Sequence, residues 1–159
     1  MQGISTFLWF DGTAMAAASY YVSVFPNSRI LGDTSLKDGR PGHQDEEVGL
    51  VTFELDGRPF TALNGGPMFS FTPAISFVIT CDDQAEVDYY WDHLVDGGEP
   101  SQCGWLVDRF GVSWQVVPAM LGSVIGGPDA AASARATQAM LQMVKLDIAA
   151  LQAAYDGVG

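Results

Sequence analysis

Few residues of this 159-residue chain could do chemistry, since it has only two histidines and two cysteines. His43 lies in a polar stretch with Asp45, Glu46 and Glu47, a set that would hold a cation only weakly in solvent. His93 sits beside the apolar stripe of a helical segment and reads as a boundary residue, not a general base. Cys103 is the candidate nucleophile, in Ser101-Gln102-Cys103-Gly104-Trp105. A reactive thiolate there needs a cation at hand, and Arg109 is the nearest candidate in sequence. Cys81 ends an apolar run and reads as packed and inert. Glu54 stands on the less apolar face of a strand, while most other carboxylates fall in turns and caps. Asn64-Gly65-Gly66-Pro67 has the composition of a phosphate loop but lacks the helix whose N-terminus would hold the anion. No Gly-x-Gly-x-x-Gly opens a βαβ unit, which argues against a Rossmann-type site for S-adenosylmethionine.

These residues are carried by a pattern that occurs twice. Phe7-Leu8-Trp9-Phe10-Asp11 precedes a helical run ending in Tyr20-Tyr21, and Phe77-Val78-Ile79-Thr80-Cys81-Asp82 precedes one carrying Tyr89-Tyr90. In the first half, residues 4–10 are an apolar, aromatic strand and 13–25 an Ala-rich helix stopped at Pro26. Strands follow at 28–36, 48–55 and 58–63, the last two joined by the hairpin signal Asp56-Gly57; residues 37–47 are a loop. In the second half, a strand at 74–81 leads through Asp82-Asp83 into a helix at 83–95, stopped by Gly97-Gly98. Short strands are expected near Ser101, at 105–107 and at 112–118. The remainder reads as two helices, 128–145 and 148–156, opened by Pro128-Asp129 and Asp147 and closed by Gly157. Ala136, Met140, Met143 and Val144 form one apolar stripe; Ile148, Leu151 and Tyr155 form another. These faces must cover a sheet or pack across a dimer. The division is 1–67 for the first βαβββ module, 74–118 for the second and 119–159 for a helical extension, all in one structural domain.

The charge balance narrows the partners. Nineteen acidic residues against seven basic give a net charge of −12, which disfavours nucleic acid and anionic membranes. No apolar run approaches the ~20 residues of a membrane span. No basic stretch with an apolar core suggests a secretory leader, and sparse cysteine fits a reducing, cytoplasmic setting.

The chain resembles the PhnB-like branch of the glyoxalase, bleomycin-resistance and extradiol-dioxygenase (vicinal oxygen chelate) superfamily. The resemblance rests on Phe7 to Gly12, Tyr21 to Ser28 (Tyr-Val-Ser-Val-Phe-Pro-Asn-Ser), Phe53-Glu54-Leu55-Asp56-Gly57, Ala62 to Pro67, Ser101 to Leu106, and Asp108-Arg109-Phe110-Gly111-Val112-Ser113-Trp114-Gln115. The helical tail is also similar to this branch, whose members are often labelled demethylubiquinone methyltransferases. The resemblance implies an α+β fold of paired βαβββ modules, a ligand cleft and a homodimer. Metal-dependent relatives place ligands on the first, fourth, fifth and eighth strands. The matching positions are Thr6, a residue near Thr61 or Asn64, Ser76 and Gln115; none is His or Glu, so no metal or other cofactor is expected. The leading functional expectation is a metal-independent protein that holds a small apolar or aromatic molecule. Thr6, Asn64, Ser76 and Gln115 would be its polar handles, and Trp9, Trp105, Trp114 and Phe71 its stacking surfaces. The alternatives are a lyase- or transferase-like enzyme using Cys103 or a cleft carboxylate, and a dimeric scaffold whose cleft is filled by its own side chains.

Overall fold

The computed structural model of the chain describes residues 3–37 and 47–158, so His43, Asp45 and Glu46 lie outside the described residues. The chain falls into two compact units, Met1–Phe71 and Thr72–Gly159.

The first unit contains β1 (Thr6–Phe10), α1 (Ala14–Val24), β2 (Arg29–Lys37), β3 (Glu47–Leu55) and β4 (Arg58–Asn64). Its sheet has the order β1-β4-β3-β2, with β1 parallel to β4 and the other pairs antiparallel. One face carries Leu8, Phe10, Val51, Phe53, Leu55, Phe60 and Ala62, all buried. α1 buries Ala14, Ala17, Ala18, Tyr21 and Val24 on its inner side. The small alanines let the helix lie close to the sheet, and Tyr21 supplies the bulk. Phe53 and Phe60 are cross-strand partners with ring centroids 5.3 Å apart; burying each contributes about 1.5–3 kcal/mol. The Asp56-Gly57 signal is realised with both residues left-handed, φ 48° and 72°, as a tight primed hairpin turn requires.

The second unit repeats the topology. β5 (Phe77–Cys81), α2 (Gln84–Val95), β6 (Glu99–Pro100), β7 (Trp105–Val107) and β8 (Ser113–Pro118) give a sheet of order β5-β8-β7-β6. α2 is capped from within its own segment. Asp83 accepts from the Glu86 N–H, and the Glu86 carboxylate reaches one residue past the N-cap to accept from the Asp82 N–H, a variant of the capping box. Its buried residues are Val87, Trp91 and Leu94, while Tyr90, expected on the same stripe, is only half-buried. The strand expected around Ser101 is two residues long and ends at Pro100.

The tail contains three helices instead of two. A short α3 (Leu121–Ile125) precedes α4 (Ala130–Leu141) and α5 (Ile148–Asp156). Asp129 and Asp147 cap α4 and α5, and Gly157 closes α5 with φ 73°. α4 stops four residues short of the expected end at 145, and beyond it Met143 O and Val144 O accept from the N–H groups of Cys103 and Gly104 at 2.8 Å each. Leu121, Val124, Ala136, Leu146 and Leu151 form the buried core of this extension, with Val117, Met120, Met140, Met143 and Tyr155 packed around it. The apolar stripes thus close on each other and on the end of β8. Val144, expected on the stripe, is exposed.

Candidate functional site

Strand parity puts Val78, Trp105, Val107, Ser113 and Gln115 on one face of the second sheet, opposite Trp114, Val116 and Leu106; Ser76 lies one residue ahead of β5, which begins at Phe77 and not at the expected 74. Val78 and Trp105 are both in register with Gln115. The Gln115 amide donates to the Ser76 hydroxyl at 2.9 Å, which joins two of the expected site residues directly. Trp105 stands across from them, half-buried. Ser113, two residues before Gln115, is 2% exposed, and its hydroxyl finds no partner among the described residues. One amide uses one N–H on Ser76 and keeps its carbonyl oxygen and second N–H. The face therefore combines an indole with neutral donors and acceptors that can still bond.

The other expected site residues have different work. Asn64 is in register with Phe10 on the helix-facing side of the first sheet. Its Oδ1 accepts from the Ala14 N–H at 2.8 Å. Thr13, the local N-cap, makes no side-chain cap bond, so Asn64 caps α1 from β4 across fifty residues of chain. Thr6 pairs with Phe60 and shares its parity with buried Leu8 and Phe10. It therefore lies on the opposite face from Trp9, and the two cannot line one surface. Trp9 donates from Nε1 to Gly66 O at 2.8 Å and meets Phe69 edge-on at 5.0 Å. A Cβ on Gly65 would come within 2.3 Å of the Trp9 ring. The Asn-Gly-Gly-Pro segment is thus a helix cap and an indole cradle, not an anion loop. Phe71, expected to stack on a ligand, packs on Phe10 at 5.1 Å.

Trp114 is also not a stacking surface. It is 4% exposed, and its Nε1 donates to Asp108 Oδ2 at 2.8 Å. Asp108, itself buried, accepts from the N–H groups of Phe110 and Val112 on Oδ1, at 2.8 and 3.0 Å. This carboxylate ties the turn between β7 and β8 to the core. The sequence holds only a faint signal for that role, an Asp placed ahead of a turn that ends in Gly111.

The cation expected at Cys103 is placed elsewhere. Arg109 is engaged with Asp96, through the carboxylate and through Nε to the backbone carbonyl at 3.0 Å. The Cys103 thiol lies 3.5 Å from Met140 O. Cys81 is fully buried, and burial, with Glu86, Asp82 and Asp83 adding to it, pushes its thiol up to about 11. His93 lies on the exposed side of α2, with Nδ1 2.7 Å from Tyr89 O and its ring against Tyr89. Glu54 pairs with Arg29 at 3.0 Å. Among the described residues no three His, Cys, Asp or Glu side chains gather as a metal would require. The ligand positions implied on the fifth and eighth strands hold a hydroxyl and an amide that bond to each other. Such a neutral pair does not fit a divalent transition metal, which takes imidazole, thiolate or carboxylate. No helix among the described residues is long and apolar enough to cross a membrane.

Comparison with known proteins places this geometry. The PhnB protein of Bacillus cereus is 33% identical with a TM-score of 0.65; the match covers 74% of this chain and all of that one. A protein of Pseudomonas aeruginosa superposes with a TM-score of 0.57 at 18% identity, over 74% of this chain and 98% of its own. The fosfomycin resistance protein FosX of Listeria monocytogenes, in complex with Mn(II) and sulfate, does so with a TM-score of 0.51 at 16% identity, over 73% and 91%. These last two share the fold, two mixed sheets of the vicinal oxygen chelate type. No curated protein matches the chain. The profile of the family described as 3-demethylubiquinone-9 3-methyltransferase matches residues 2–117. The chain belongs to that PhnB-like family, within the glyoxalase and vicinal oxygen chelate superfamily.

Proposed function

We propose that the chain is a metal-independent binding protein for a small apolar or aromatic molecule, held against the face that carries Ser76, Trp105 and Gln115. The observation that carries this reading is the Ser76–Gln115 hydrogen bond beside Trp105. It sets a neutral, directional pair next to an indole, where a planar ligand can stack and still be oriented. Neither sheet is doubly wound and parallel, so the usual cradle for S-adenosylmethionine is not what these residues build. Binding, not methyl transfer, is therefore the favoured activity. Trp105→Ala and Gln115→Ala are to be titrated alongside the parent chain with a panel of aromatic metabolites, with and without chelator, using thermal shift as readout. The reading expects stabilisation by a panel member that chelator leaves intact and both variants lose. Ligand-induced stabilisation that needs added metal, or that survives both substitutions, sinks it.

The same proposal includes a homodimer in the cytoplasm. β1 and β5 are edge strands of their sheets, and β1 exposes Phe7, the kind of edge that a second chain covers. Both cysteines are free thiols. Light scattering on the eluting protein tests the dimer, and a monomer at micromolar concentration refutes it.

A further inference from the structure

The family profile stops at residue 117, yet the segment beyond it is bolted to the turn that delivers Trp105. The N–H groups of Cys103 and Gly104 donate to Met143 O and Val144 O, and the Gly104 carbonyl accepts from Val116 N, each at 2.8 Å. Cys103 is left-handed at φ 58° and Gly104 at φ 81°. A non-glycine residue holds such a conformation only when its surroundings over-determine it. A Cβ on Gly104 would lie 2.6 Å from Val116 O and 3.1 Å from the Leu146 side chain, so the turn is gripped between β8 and the tail.

The gripping loop, residues 142–147, is in turn fastened to α2. Gln84 donates from Nε2 to Leu146 O at 3.2 Å and accepts on Oε1 from the Ile148 N–H at 2.9 Å. Its amide mimics a strand segment and pairs with the tail on both sides of Asp147. Lys145 bridges Asp88 and Asp92 at 3.1 and 2.9 Å. A continuous chain of contacts thus runs from α2, through the tail loop, to the Cys103-Gly104 turn and Trp105.

We infer that the C-terminal extension is a brace that sets the position of Trp105, with Gln84 and Lys145 as its positioning residues. Its consequence for a ligand rests on Trp105 being part of the binding face, but the brace itself can be tested without any ligand. The full chain is labelled with 5-fluorotryptophan, and the Trp105 line in the ¹⁹F spectrum is assigned with Trp105→Phe. Gln84→Leu and Lys145→Met are then compared with the parent. The Trp105 line is expected to shift or broaden, more in Gln84→Leu, while those of Trp9 and Trp114 stay in place. Amide exchange at Cys103 and Gly104 speeds up roughly tenfold in Gln84→Leu. An unmoved Trp105 line in a folded variant overturns the brace, and if Gln84→Leu does not fold, Lys145→Met decides the question by the same criterion. A moved line with unchanged affinity for a bound aromatic would instead refute the binding face and leave the brace standing.

Discussion

Replacing Asn64 by Ala separates a structural role from a ligand-binding one. The side chain gives α1 its only cap bond among the described side chains, a 2.8 Å contact to the Ala14 N–H. Removing an N-terminal cap costs about 0.5–2 kcal/mol, and the donor left behind is partly buried, which favours the upper half of that range. Asn64→Ala is therefore expected to lose about 1–2 kcal/mol in urea unfolding, or roughly 2–8 °C in Tm for a cooperative chain of this size. Asn64→Asp keeps the acceptor and adds negative charge at the positive end of the helix, so it should stay within about 0.5 kcal/mol of the parent. The pair of variants is the test. If Asn64→Ala unfolds at the parent's midpoint, or if Asp is as damaging as Ala, the cap assignment is wrong.

Three further outcomes follow from the same geometry. Gly65→Ala places a methyl group inside the Trp9 ring position; it should displace the indole and lower stability by about 1–3 kcal/mol, seen as a changed Trp9 signal together with an earlier unfolding midpoint. Asp108→Asn presents an amide to three N–H donors that a carboxylate accepts from, so at least one buried donor loses its partner; the expected cost is about 2–4 kcal/mol by denaturant unfolding. Acid should loosen the tail before neutral or mildly alkaline conditions do. The Gln84 amide, then Lys145, holds Asp88 below the ordinary carboxylate value, and the Ala132 N–H does the same for Asp129. Depressed carboxylates contribute stability that is present above about pH 4 and lost as pH falls through their folded values. Partial burial pulls Lys145 down, but bonds to Asp92 and Asp88 outweigh it and raise it. Its contribution is complete below about pH 10.4 and lost as pH rises through the folded value. Limited proteolysis of the tail from pH 3 to 9 should show cleavage rising only at the acid end.

The repeat, the strand order of each module and the caps at Asp83, Asp129 and Asp147 were legible because each rests on local chemistry: an apolar period, a hairpin dipeptide, or a capping side chain three residues from its donor. Ser76 and Gln115 were named through the family resemblance; the doubled pattern set Thr6 against Ser76, and the structure puts those two on unlike faces, Thr6 with buried Leu8 and Phe10 and Ser76 with Gln115. What could not be read was any role set by a distant partner. Asn64 at a strand end looks like a free amide until the helix it caps is placed beside it. Trp114 and Trp105 are both aromatic residues of short strands, and only parity against the buried face sends one into the core and leaves the other half-buried on the opposite face. α4 looked longer because nothing in 142–147 announces that the chain leaves the helix there to meet Cys103 and Gly104. α3 is a five-residue helix with no side-chain cap, too short for a periodic signal to stand out.

The two modules share a topology but differ in how their helices are completed, and this bears on the order of assembly. α2 carries its capping box within five consecutive residues, so its first turn can be satisfied as soon as that segment collapses. α1 waits for Asn64, fifty residues downstream, which arrives only with β4 and the parallel β1–β4 pairing. Closing a loop of that length carries an entropic penalty before the contact returns anything. The two halves of the duplication are therefore asymmetric in time: one helix can nucleate its module, and the other is sealed by the last strand of its own.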